Sequence, residues 1–165
     1  MSELEARQGK RANAVLNGDF VCIETYSGRG LLGRDPNGAR HLLSTDVEDT
    51  ALGAALLDAV HKSRFLSSED ARTFLDRDQA KQVYEEWVQG MLDRYAYKSR
   101  RNLFKDMACC NIKLIGDTIV ISPTSHPRLE AWEGLGDDQS IIISHYSAAN
   151  EVGAALRLAF GRCEI

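Results

Sequence analysis

The apolar positions along this chain change period three times. Phe20, Val21, Ile23 and Tyr26 form a short strand-like run that ends at the turn residues Ser27-Gly28-Arg29-Gly30. Leu31 and Leu32 begin a second strand, Asp35-Pro36-Asn37-Gly38 is a strong turn signal, and His41-Leu42-Leu43-Ser44 makes a third strand. Short strands joined by tight turns predict an antiparallel meander. From Asp46 the spacing becomes helical: Val47, Leu52, Ala55, Leu56, Ala59 and Val60 share a face, with Glu48 and Asp49 favourably near the helix N-terminus. Ser67-Ser68-Glu69-Asp70 starts a second helix, or a broken pair, running through Phe74, Val83, Trp87 and Met91 towards Tyr97. A short helix over 102–107 follows. Strands return at Cys110–Ile115 and Thr118–Ile121 around the turn Gly116-Asp117, and again at Ser140–Ser144. Pro123 and Pro127 bound a non-helical segment between them. Ser147 can cap a last helix carrying Val152, Ala155, Leu156, Ala159 and Phe160 on one face.

Residues 1–17 are polar and show no clear period, so they read as a loose arm ahead of one domain over 18–165. A shift of 100 positions lays His41-Leu42-Leu43-Ser44 on Ile141-Ile142-Ile143-Ser144. The same shift lays Gly53-Ala54-Ala55-Leu56 on Gly153-Ala154-Ala155-Leu156. Either two amphipathic patterns have converged, or the fold is a duplicated set of strands followed by a helix. In the second case Gly53 and Gly153 mark equivalent places where a helix meets its sheet, and the Trp87 helix is an insertion between copies. The expected class is α+β, an antiparallel sheet packed with helices and Whirly-like if the duplication is real.

Composition bounds the rest. At 165 residues, 44% hydrophobic and 27% charged, the chain can bury a sizeable core. No apolar run reaches membrane-span length, and Met1-Ser2-Glu3-Leu4-Glu5 has no signal-peptide character, so a cytoplasmic location is expected. Charge is unevenly spread. Residues 94–105 hold Arg94, Lys98, Arg100, Arg101 and Lys105 with no acid, a stretch of +5 against −9 for the other 153 residues, for a net charge of −4. Interleaved Tyr95, Tyr97, Leu103 and Phe104 admit two readings. The rings stack on bases while the cations meet phosphates, or the rings are core anchors overlaid by basic side chains whose stems they bury.

Catalytic signatures are absent: there is no G-x-S-x-G, Walker A, Rossmann glycine fingerprint or H-E-x-x-H. Cys22, Cys109, Cys110 and Cys163 have no C-x-x-C spacing and His41, His61, His126 and His145 are scattered, so neither a metal site nor a cofactor is expected. Cys110 and His126 are the one pair that could be imagined as nucleophile and base.

Several stretches resemble the proteobacterial immunity proteins of contact-dependent growth inhibition, the CdiI family. They are Ser63-Arg64-Phe65-Leu66, Tyr84-Glu85-Glu86-Trp87-Val88, the run from Tyr95 to Met107, Ile121-Ser122-Pro123-Thr124-Ser125-His126, Leu129-Glu130-Ala131-Trp132, and the closing run from Val152 to Cys163. Ala96 stands where the family is expected to carry glycine. The resemblance implies a non-enzymatic cytoplasmic protein that binds and neutralises the C-terminal toxin domain of a cognate CdiA effector, such toxins commonly being nucleases. The recognisable stretches read as scaffold, which leaves the acidic parts between them for contact: Asp46, Glu48 and Asp49 before the first long helix, and Asp137-Asp138 in a late loop. The rival reading is a small nucleic-acid-binding protein that uses segment 94–105.

Overall fold

A computed structural model describes all 165 residues. In chain order it contains α1 (Glu3–Gln8), β1 (Lys10–Leu16), β2 (Val21–Arg29), β3 (Leu31–Arg34), β4 (Arg40–Leu43), α2 (Asp49–His61), α3 (Ser68–Phe74), α4 (Arg77–Tyr95) and α5 (Arg100–Phe104). The second half holds β5 (Ala108–Ile115), β6 (Thr118–Arg128), β7 (Ala131–Gly134), a 3-10 turn at Asp137–Gln139, β8 (Ile141–Ser144) and α6 (Ala149–Arg162). The expected α+β class stands. All eight strands join one antiparallel sheet in the order β3-β2-β1-β5-β6-β7, with β4 also paired to β2 and β8 to β6.

The first 17 residues are a correction. They are no loose arm, because β1 lies at the centre of the sheet between β2 and β5. Its alternation was masked by weak hydrophobes: Ala12 and Ala14 are buried on one face, while polar Arg11 and Asn13 occupy the other. Even α1 is fastened. Gln8 is buried, donating from Nε2 to Gly28 O at 3.2 Å and accepting from Gly30 N at 2.8 Å.

The duplication is structural. Asn13 pairs with Asn111 across the β1–β5 ladder, and that offset of 98 (111 minus 13) carries Lys10–Leu16 onto residues 108–114 of β5. A pair that is its own equivalent lies on a two-fold axis. Around that axis β2 pairs β4 with its first half and β3 with its second, and β6 treats β8 and β7 in the same way. Each half then closes with a helix, α2 or α6, which begin exactly 100 residues apart at Asp49 and Ala149. Ser147 is not the cap of α6; that place falls to Ala148.

Gly53 and Gly153 are equivalent, but they meet each other's helix rather than the sheet. A Cβ on Gly53 would stand 1.7 Å from Ala149 O, and one on Gly153 would stand 1.9 Å from Asp49 O. The two helices therefore cross backbone to backbone, antiparallel, over a face of β1 and β5 that presents the small Ala12, Ala14 and Cys110. Leu52, Leu56, Ile23, Ile112, Ile119, Ile121 and Leu156 fill the space around the crossing, each almost fully buried.

The insertion between the halves builds a second core on the opposite face of the sheet. Trp87, Val88 and Met91 of α4 and Leu103 and Phe104 of α5 pack with Phe20, Cys22, Val15, Met107 and Cys109. α3 and α4 form the broken pair, capped by Ser67 and Asp76, whose side chains accept from Asp70 N and Gln79 N. α4 ends on Ala96, which adopts φ +54, the only non-glycine residue with positive φ. An L-residue is disfavoured there by contact between Cβ and the following carbonyl. Ala96→Gly is expected to raise stability by about 0.5–1 kcal/mol despite the entropy glycine adds to the unfolded chain, read from the denaturant midpoint at constant slope; a loss of stability would contradict the left-handed cap.

Candidate functional site

The five acidic residues singled out above fall into two segments that flank α6. Asp46 and Glu48 are exposed; Asp46 accepts from Ser44 Oγ at 2.5 Å, and Glu48 is the N-cap residue of α2 without a side-chain cap bond. Asp49 is different. It is half-buried and accepts from Arg157 Nε at 2.7 Å, while the same guanidinium donates to Thr45 O at 3.1 Å and to Val47 O. Asp137 and Asp138 are exposed in the 3-10 turn, whose Gln139 O accepts from Arg162 at 2.9 Å. Arg157 and Arg162 stand about 1.4 turns apart on α6, so they leave the helix in different directions. Four of the five carboxylates are thus presented to solvent, and Asp49 holds a loop.

The basic segment is built as scaffold. Tyr95 stacks on Phe20 with centroids 4.8 Å apart, and Tyr97 Oη donates to Asp19 at 2.5 Å while accepting from Asn17 Nδ2 at 2.9 Å. Leu103 and Phe104 are fully buried. Arg100 donates to Glu130 at 2.6 and 3.1 Å and to Glu85 at 2.8 Å, and Tyr84 Oη donates to the same Glu130 at 2.6 Å. These hydrogen bonds raise the Arg100 pKa further, and in return Arg100 and then Tyr84 hold the Glu130 carboxyl below its ordinary range. Arg94, Lys98, Arg101 and Lys105 are exposed and make no salt bridge. The rings that a nucleic-acid platform would need are already packed against protein.

Sequence reasoning missed a groove of about 910 Å³ between β3, α3 and the start of α4. Its walls come from five separate segments, represented by Tyr26, Leu31, Arg64, Phe74 and Val83. β3 pairs only with β2, so its outer edge is free beside the groove, and Leu31 is 75% exposed. One rim is held by Asp35, whose carboxylate accepts from Arg64 Nε and Nη2 at 2.8 and 2.9 Å, from Ser27 Oγ at 2.6 Å and from Asn37 N at 3.0 Å. Burial alone would raise the Asp35 pKa; those donors reverse it and leave it below the usual range. The only local signal in the sequence was Asp35 as a turn former, which is a small part of what it does.

Cys110 and His126 are not brought together. The Cys110 thiol faces the α2–α6 core, whereas His126 stacks on Trp132 at 4.6 Å and its Nε2 lies 2.8 Å from Leu129 O.

Comparison with known proteins fits this arrangement. The family model described as CDI immunity protein (CdiI) matches residues 10–163, from the first residue of β1 to the cysteine after α6. Immunity protein CdiI-YPIII of Yersinia pseudotuberculosis serotype O:3 (strain YPIII) is 39% identical over 173 residues, covering 93% of this chain and 94% of that protein. A solved CdiA-CT/CdiI toxin and immunity complex from Yersinia pseudotuberculosis contains a chain of similar structure, with a TM-score of 0.89 and 39% identity, covering 94% of this chain and 97% of that one. A protein of unknown function from Neisseria meningitidis is similar too, with a TM-score of 0.91 and 33% identity over 99% of this chain and 100% of that one. The match runs through both halves of the duplication and the insertion between them, and on that ground the chain belongs to the CdiI family of CDI immunity proteins.

Proposed function

We propose that this protein binds the C-terminal toxin domain of a cognate CdiA effector and neutralises it by occupancy rather than by chemistry. One observation carries the reading: nearly the whole chain matches, in sequence and in fold, a protein solved in complex with such a toxin domain. It acts in the cytoplasm, where an incoming toxin would meet its target. No helix is long and apolar enough to cross a membrane. Membership of an immunity-protein family supports a non-enzymatic role.

The toxin is a nuclease in this reading, and the contact surface includes the exposed carboxylates Asp46, Glu48, Asp137 and Asp138. Nucleases present cationic clefts to phosphate, and an inhibitor of net charge −4 that offers carboxylates is attracted to them. Asp49 supports that surface by holding Arg157. Reversing the four exposed acids to lysine is expected to slow association with the cognate toxin domain by about tenfold or more at low salt and to flatten its salt dependence, with native circular dichroism. Equal association rates for wild type and variant at both salts would place the interface elsewhere. The nucleic-acid reading keeps four free cations, and sub-micromolar binding of single-stranded RNA lost in Lys98→Ala/Arg101→Ala would favour it.

A further inference from the structure

β5 carries two adjacent cysteines, and strand alternation turns them to opposite faces of the sheet. Cys109 lies in the core beneath α4 and α5, 3.1 Å from Asn13 Nδ2. Cys110 faces α2 and α6 and is completely buried. The chain returns to this second place after α6. Cys163, the first residue past the helix, is half-buried, and its Sγ lies 3.6 Å from Cys110 Sγ. The next residue, Glu164, donates its N–H to Thr124 O at 3.0 Å, which lays the tail along β6.

We propose that Cys163 and Cys110 form a redox modification site, at which a low-molecular-weight disulfide oxidises the pair to an internal disulfide that fastens the C-terminal tail to the sheet. Geometry sets the order of events. An external disulfide can reach only the half-exposed Cys163. Its thiolate attacks one sulfur of the reagent, breaks the reagent's S–S bond and forms a mixed disulfide, and the departing thiolate takes up the proton Cys163 lost. Cys110 then attacks the Cys163 sulfur, the second reagent thiol leaves with the Cys110 proton, and two protein thiols have been oxidised by two electrons while one reagent disulfide has become two thiols. The sulfurs must close from 3.6 Å to about 2.05 Å. That movement falls to Cys163, which sits in extended backbone outside the helix.

The other thiols are poorly placed to compete. Burial pushes Cys22 up to about 12 and Cys109 up to about 11, and the Cys110–Cys163 contact draws Cys163 down to about 7 while that contact and burial hold Cys110 protonated, well above the ordinary thiol range. The thiolate is the attacking species, so Cys163 reacts first. Its Sγ also stands 3.4 Å from Cys109 O and 3.6 Å from Ala159 O, either of which can accept its S–H while the pair is reduced.

The test is incubation of the full protein with oxidised glutathione, followed by intact mass and peptide mapping. The wild type is expected to pass through a glutathione adduct and end two hydrogens lighter, with a Cys110–Cys163 cross-link. Cys110→Ala should stop at a stable adduct on Cys163, Cys163→Ser should give neither product, and Cys109→Ser should still close. Oxidation of the wild type should raise the melting temperature by about 5–15 °C. A cross-link through Cys109, unreacted thiols where a small dithiol oxidises, or a melting temperature lowered by closure would each overturn the proposal.

Discussion

Gly53→Ala is expected to destabilise the protein by about 3 kcal/mol or more, although the same change in an open helix stabilises it. In an unencumbered helix, alanine is preferred to glycine by roughly 1 kcal/mol. At Gly53 that preference is overwhelmed. The added Cβ would lie 1.7 Å from Ala149 O, 2.7 Å from Ala149 C and 2.8 Å from Gly153 N, all backbone atoms of the facing helix. No rotamer change relieves such a contact, so α2 and α6 must separate. Separation opens the packing around Leu52, Leu56, Val152 and Leu156, and it pulls Arg157 away from Thr45, Val47 and Asp49. Gly153→Ala should behave alike, because its Cβ meets Asp49 O at 1.9 Å. Gly90→Ala is the control: it sits in the middle of α4 with nothing within 4 Å and should stabilise by about 0.5–1 kcal/mol. Urea midpoints for the three variants decide the matter. Equal, small shifts for all three would remove the two-fold helix crossing.

This contact also marks how far the sequence could be read. The offset between Gly-Ala-Ala-Leu at 53 and at 153 pointed to a duplication, and the helix boundaries keep that offset. What periodicity could not reveal was the partner, because a glycine facing a sheet and one facing another helix leave the same one-dimensional trace. β1 went unrecognised since Ala12 and Ala14 are small enough to admit the crossing helices above them, and small residues give a weak apolar alternation. β6 was cut short for a different reason. Pro123 suggested a break, yet its carbonyl accepts from Leu135 on the outer side of the strand, at the point where the outer partner changes from β8 to β7. Its missing N–H falls in that gap, where no ladder bond is lost. The groove beside β3 was beyond reach, because it exists only once α3 and α4 are folded against the edge strand.

Phe104→Ala is expected to cost about 3–5 kcal/mol. The ring is 1% exposed, with Trp87 and Trp132 at 6.2 and 6.0 Å between centroids. Those neighbours belong to α4 and to the segment after β6, so the ring joins the insertion to the duplicated sheet and its loss leaves a cavity between them. Arg101→Ala, three residues earlier and exposed, should stay within about 0.5 kcal/mol. The contrast separates the two readings of the basic segment: a scaffold loses stability through Phe104, whereas a nucleic-acid surface loses affinity through its cations while folding unchanged. A small effect of Phe104→Ala would mean that the second core does not hold the insertion.

Family membership supplies the class of partner, and its proposed contact is with the exposed carboxylates Asp46, Glu48, Asp137 and Asp138. The most direct test is calorimetric titration of the purified protein with the toxin domain of its cognate CdiA effector, run in parallel with a toxin domain from an unrelated CdiA. The account predicts a one-to-one complex with the cognate domain, with Kd on the order of nanomolar or tighter, and no detectable heat with the unrelated one. Absence of binding to the cognate domain, or equal binding to both, would contradict it.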